Sequence, residues 1–149
     1  MKKILLAALI AVALGTSAFA ADDKKINHAV LNSFTADFKD AENVNWKVDA
    51  KYYKATFTLY GEEVIAFYDL DNEFIGSSKV LAFDKLPKKA LYLIGKNYPF
   101  PPYKLMECIE FTKANGNKTN YVSFETEKEK LILEVSTDGD ISVFKKSVK

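Results

Sequence analysis

Apolar residues recur at every fourth position between Lys24 and Lys39, where Ile26, Val30, Phe34 and Phe38 form one stripe flanked by Ala29 and Leu31. That spacing predicts an amphipathic helix with an aromatic-rich buried face, N-capped by Asp22 or Asp23. The period then drops to two. Val44, Trp46 and Val48 alternate with Asn45, Lys47 and Asp49, and Tyr53, Ala55, Phe57 and Leu59 alternate with Tyr52, Lys54, Thr56, Thr58 and Tyr60. Such alternation predicts half-buried strands, and it assigns Trp46 to the core. Gly61-Glu62 and Asp71-Asn72 read as tight turns on either side of a third strand, with a fourth over residues 73–82. A second helix is expected over residues 84–98. Leu86-Pro87 marks its first turn, and Leu86, Ala90, Leu91, Ile94 and Tyr98 supply its stripe before Pro99, Pro101 and Pro102 stop it. Four more strands are expected at 103–113, 119–126, 130–136 and 140–145, joined by Asn115-Gly116-Asn117, residues 127–129 and Asp138-Gly139.

The two halves align. The segment from Phe57 to Lys79 lies without a gap on the segment from Phe124 to Lys146, with Val64 on Leu131, Ile65 on Ile132 and Asp71-Asn72 on Asp138-Gly139. The fold expected is therefore α+β. It is a tandem duplication, over about 24–82 and 84–147, of a helix followed by a four-stranded antiparallel sheet, with the helices packed on one sheet face. Short connections favour antiparallel meanders, and halves this small would share one core in a single domain over residues 21–149.

Val44-x-Trp46, Tyr53-x-Ala55-x-Phe57, Phe67-Tyr68-Asp69-x-Asp71-Asn72, Leu86-Pro87 and Tyr98-Pro99 follow one another in a familiar order. In this the chain resembles the PepSY-like, β-lactamase-inhibitor-protein-like (BLIP-like) family of small exported bacterial proteins, over nearly all of residues 21–149. The resemblance implies a tandem helix-plus-four-strand fold whose opposite sheet face is concave or open. It carries over no target and no binding residue, because a shared fold does not transfer a ligand.

The first residues read as an export signal. Lys2 and Lys3 precede an apolar run from Ile4 to Leu14, and Ala18-Phe19-Ala20 is a small-x-small cleavage site. The run is too short for a membrane span, so the expected product is periplasmic or secreted, with no membrane anchor after cleavage. Subtracting Lys2 and Lys3 from 21 basic residues leaves 19 against 20 acidic ones. A nearly neutral chain of interspersed charge lacks the footprint of nucleic-acid binding. Cys108 is the one cysteine and His28 the one histidine. An intramolecular disulfide and a paired-histidine zinc site are thereby excluded.

No Gly-x-Ser-x-Gly elbow and no Gly-x4-Gly-Lys phosphate loop occurs. Asp69-x-Asp71-Asn72-Glu73 resembles the start of a calcium loop, but Phe74 stands where the loop needs glycine, so turn chemistry is the reading adopted. No catalytic residue, cofactor or metal is assigned. If Ala55, Phe57, Val64, Ala66 and Tyr68 face the helix, then Tyr52, Thr56, Tyr60, Ile65 and Phe67 face away, and these five form the candidate partner surface; the equally weighted alternative packs Phe67 and Tyr60 against the other repeat or under a loop. The functional expectation is a non-catalytic exported module for an unidentified protein or peptide, as an inhibitor or accessory factor. The alternative is a periplasmic carrier of a small apolar ligand.

Overall fold

The computed structural model describes residues 26–149 together with Ile10. Ile10 apart, the export segment expected over residues 1–20 and the caps expected at Asp22 or Asp23 lie outside the described residues. Helix α1 (His28–Asp37) begins behind Asn27, whose side-chain oxygen accepts the Ala29 N–H at 3.0 Å. Strands β1 (Glu42–Val48), β2 (Tyr52–Leu59), β3 (Glu62–Asp69) and β4 (Phe74–Val80) follow. A 3-10 turn at Phe83–Lys85 leads to helix α2 (Lys88–Asn97). Leu86 is extended (φ −63°, ψ 154°) because the ring of Pro87 disfavours helical geometry in the preceding residue. The helix therefore starts at Lys88 and not at Asp84. Strands β5 (Lys104–Lys113), β6 (Lys118–Glu125), β7 (Glu129–Val135) and β8 (Ile141–Val148) complete the order.

The expected four-stranded sheet behind each of two tandem helices is corrected by the strand pairing. All eight described strands belong to one antiparallel sheet in the order β1 to β8, accompanied by α1 and α2. The Leu81 N–H donates to the Cys108 carbonyl at 2.9 Å, and the Ala114 N–H to the Ile75 carbonyl at 3.0 Å. The second bond satisfies a β4 carbonyl that a four-stranded sheet would leave open, and the first continues just past the end of β4.

Two compact units divide the chain. In the first, residues 26–79 with Thr112–Asn117, α1 lays Val30 and Phe34 on Ala55, Phe57, Val64, Ala66 and Tyr68. Trp46 joins this core edge-on to Phe34, with ring centroids 5.1 Å apart. In the second, Val80–Phe111 with Lys118–Lys149, α2 lays Ala90 and Ile94 over Cys108, Val122, Phe124, Leu131, Leu133 and Val135. The ladders within the units run in step. Phe57 stands opposite Val64 and Ala55 opposite Ala66, while Phe124 stands opposite Leu131 and Val122 opposite Leu133. The turns after β3 and β7 match as well. The Asp69 N–H bonds the Glu73 carbonyl and the Ser136 N–H the Asp140 carbonyl, each at 2.9 Å.

Both outer strands carry devices that discourage pairing with another chain. The β1 register breaks between Glu42 and Asn45, around a left-handed Asn43 (φ 54°). On β8, Lys145 and Lys146 are exposed along the open edge.

Candidate functional site

Of the five residues expected on an exposed sheet face, one is fully open to solvent. Tyr60 is 82% exposed, Thr56 and Ile65 are half-buried, and Tyr52 and Phe67 are buried at 4% and 0% exposure. Tyr52 and Phe67 are therefore buried in this structure and not exposed on that face. Alternation tells which face a side chain takes but not what covers it. Phe67 sits on an interior strand between Lys54 and Gly76 of its neighbours, and its ring meets Tyr52 at 5.9 Å. Thr56 and Ile65 are directly opposed in the β2–β3 ladder.

Tyr60 occupies an unusual place. With Gly61 it forms the two-residue turn between β2 and β3, and both residues have positive φ, 51° and 82°. A turn of this hand favours Asn-Gly, since a bulky side chain in the left-handed region is strained. The Tyr60 hydroxyl donates to the Asp40 carboxylate at 2.8 Å, which steadies an otherwise exposed ring.

In the second unit, the face turned away from α2 holds a shallow pocket of about 210 Å³. Leu131 and Leu133 belong to the α2 core, so the alternating Ile132 points the other way. Around Ile132 the register sets Ser123 on β6 and Lys145 on β8; the adjacent row runs Glu125, Lys130, Ser147. Met106 closes one side. Simple alternation does not reveal this grouping. The β7–β8 register shifts between Ile132 and Leu133, so Lys145 lies opposite Ile132 while Val143 lies opposite Leu133. A bulge of this kind leaves no distinct sequence signal.

Groups with chemical potential are otherwise tied down. Cys108 is buried, and burial, aided by the charge of Glu107, pushes its thiol up to about 12, so it is a poor nucleophile. His28 is exposed at the start of α1. One Asp69 carboxylate oxygen accepts the N–H groups of Asp71 and Glu73, at 3.0 and 2.9 Å. Among the described residues no cluster of three or more His, Cys, Asp or Glu side chains could hold a metal ion. Asp69→Ala is expected to cost about 1 kcal/mol through the lost turn bonds. Millimolar calcium is expected to leave the melting temperature of the unsubstituted chain unchanged, and thermal melts check both outcomes.

Burial also acts on the tyrosines. It raises Tyr52 to about 12, with a smaller contribution from Asp49. Burial first, then bonding to Asp37, raises Tyr68, whose hydroxyl donates to that carboxylate at 3.0 Å. Tyr121 is raised by burial first and then by Glu134. Each group holds its proton in the folded chain after the unfolded chain has ionised. Their contribution is complete below the ordinary thiol and phenol values of 9.0 and 10.0 and is lost as pH climbs through the raised ones. The melting temperature should therefore fall steadily from about pH 9 to pH 12, less steeply in a Tyr68→Phe variant. A flat profile over that range would contradict the assignment.

No family model and no curated protein matches the chain. Solved structures do. A DUF2874 family protein from Bacteroides uniformis superposes with a TM-score of 0.69 at 12% identity, covering 83% of this chain and 90% of its own. A BLIP-like protein from Bacteroides fragilis gives 0.68 at 16% identity, over 84% and 87%. A protein from Bacteroides eggerthii, described as a proposed periplasmic one, gives 0.69 at 13% identity, over 84% and 90%. The chain thus has the fold of the BLIP-like and DUF2874 proteins, and at these identities the likeness is one of fold. No described helix is long and apolar enough to cross a membrane.

Proposed function

We propose that this BLIP-like fold serves as an exported, non-catalytic module that binds a protein or peptide, as an inhibitor or accessory factor. The observation that carries the reading is Tyr60. A turn with two positive φ values is best filled by Asn-Gly, yet a large aromatic stands there, exposed and steadied by Asp40. A strained residue that contributes little to the interior is a candidate for function. A rigid, exposed aromatic with a polar tip is the side chain that most often anchors a partner. Export rests on the N-terminal pattern, and the fold shared with a BLIP-like protein supports a binding role.

The test separates stability from binding. Tyr60→Asn should leave the chain as stable or raise its stability by about 0.5–1 kcal/mol, since asparagine tolerates the left-handed region. The same substitution should weaken capture of the partner from an envelope extract at least tenfold. Loss of stability without loss of capture would reject the reading.

A further inference from the structure

The basic pocket on the face of the second unit turned away from α2 has the chemistry of a carboxylate site. Lys130 and Lys145 project from β7 and β8 on either side of Ile132, and neither makes an ion pair among the described residues. The hydroxyls of Ser123 and Ser147 line the same space and have no hydrogen-bond partner among the described residues. The one acidic side chain in the lining, Glu125, is engaged by Lys149 in an ion pair and also feels Lys130 and Lys104. Lys130 and Lys145 line the pocket while its one carboxylate is already paired with Lys149, which leaves positive charge to be matched. The floor is apolar, from Ile132 and the exposed Met106. At about 210 Å³ the space is below the roughly 300–1,000 Å³ typical of small-molecule sites.

We propose that this pocket captures the C-terminal residue of a polypeptide partner, its carboxylate held between Lys130 and Lys145 and its aliphatic side chain resting on Ile132 and Met106. The proposal rests on the peptide-binding reading above and names the chemistry of the partner's end. Charge complementarity supplies attraction, the two serine hydroxyls supply donors for the carboxylate oxygens, and the apolar floor disfavours a bare inorganic anion. An ammonium is a point charge that suits a lone carboxylate, whereas the pocket lining has no arginine fork for a phosphate.

The test titrates the isotope-labelled full chain with an alanine-rich hexapeptide ending in leucine, as free acid and as C-terminal amide, followed by NMR shifts. The free acid should perturb Ser123, Ile132, Lys145 and Ser147, and the amide should bind at least tenfold more weakly. Lys130→Ala and Lys145→Ala should each reduce affinity severalfold, and raised salt should do the same. Lys146→Ala is the control, because Lys146 stands opposite Leu131 and pairs with Glu129, and its effect should be negligible. Equal binding of acid and amide, no binding at millimolar peptide, or equal binding of butyrate or inorganic phosphate would each overturn the proposal. If the peptide fails while partner capture still depends on Tyr60, the carboxylate site falls and the binding module stands. If capture is indifferent to Tyr60, the broader reading falls with it.

Discussion

Phe57→Ala is expected to lower the unfolding free energy by about 3–5 kcal/mol, the range for truncating a well-packed aromatic. Phe57 is 2% exposed, and its ring meets Phe34 edge-on at 5.0 Å and Phe38 at 4.8 Å. Deletion removes the buried ring, forfeits both aromatic contacts and leaves a void beneath α1 that a strand-held site cannot easily close. Against a typical total of about 5–15 kcal/mol, such a loss takes about a fifth of the stability or more. Urea unfolding should show a lower midpoint with an unchanged slope. Phe124→Ala, at the matching ladder position, should cost less. Its described ring contact is Tyr98, stacked at 6.1 Å and 16°. A loss below about 1 kcal/mol for Phe57→Ala would mean that α1 is not held by this ring.

Gly139→Ala should cost about 2–5 kcal/mol, from two separate causes. Gly139 has φ +83°, where a side chain brings a penalty of about 1–2 kcal/mol. A Cβ there would also come within 2.9 Å of the Lys89 Cβ, 3.0 Å of the Pro87 Cβ and 3.1 Å of the Ala90 backbone nitrogen. Those atoms belong to the start of α2, so relief requires moving the helix, at about 1–3 kcal/mol more. Gly116 is the internal control. Its φ is +84°, but nothing lies within 4 Å of the point an added methyl would occupy, so Gly116→Ala should show the backbone penalty alone. Equal losses at the two positions would contradict the close approach of the β7–β8 turn to α2.

Much of this architecture was legible in the chain because local periods report local burial. The alternation of Ala55 and Phe57 with Thr56 put the first two in the α1 core, and the stripe of Val30 and Phe34 met them there. The constant offset that sets Phe57 on Phe124 also sets Val64 on Leu131, and both pairs face each other in their ladders. The BLIP-like resemblance has its counterpart in a solved fold, which does not by itself show the PepSY-like part. Edge pairing was not legible. The bonds of Leu81 to Cys108 and of Ala114 to Ile75 join segments distant in sequence, and no periodicity encodes them. One sheet consequently stands where two were expected; the burial of Phe67 answers a separate question that alternation leaves open, whether its face is covered. The basic pocket was missed for a related reason, because a shifted register on β8 brings Lys145 beside Ile132.

Whether this chain engages another polypeptide is asked most directly by native mass spectrometry of the full-length chain, expressed in a bacterial host and released without detergent. The expected spectrum shows a second polypeptide retained by the unsubstituted chain and absent from the Tyr60→Asn form. A small apolar molecule carried equally by both would contradict it.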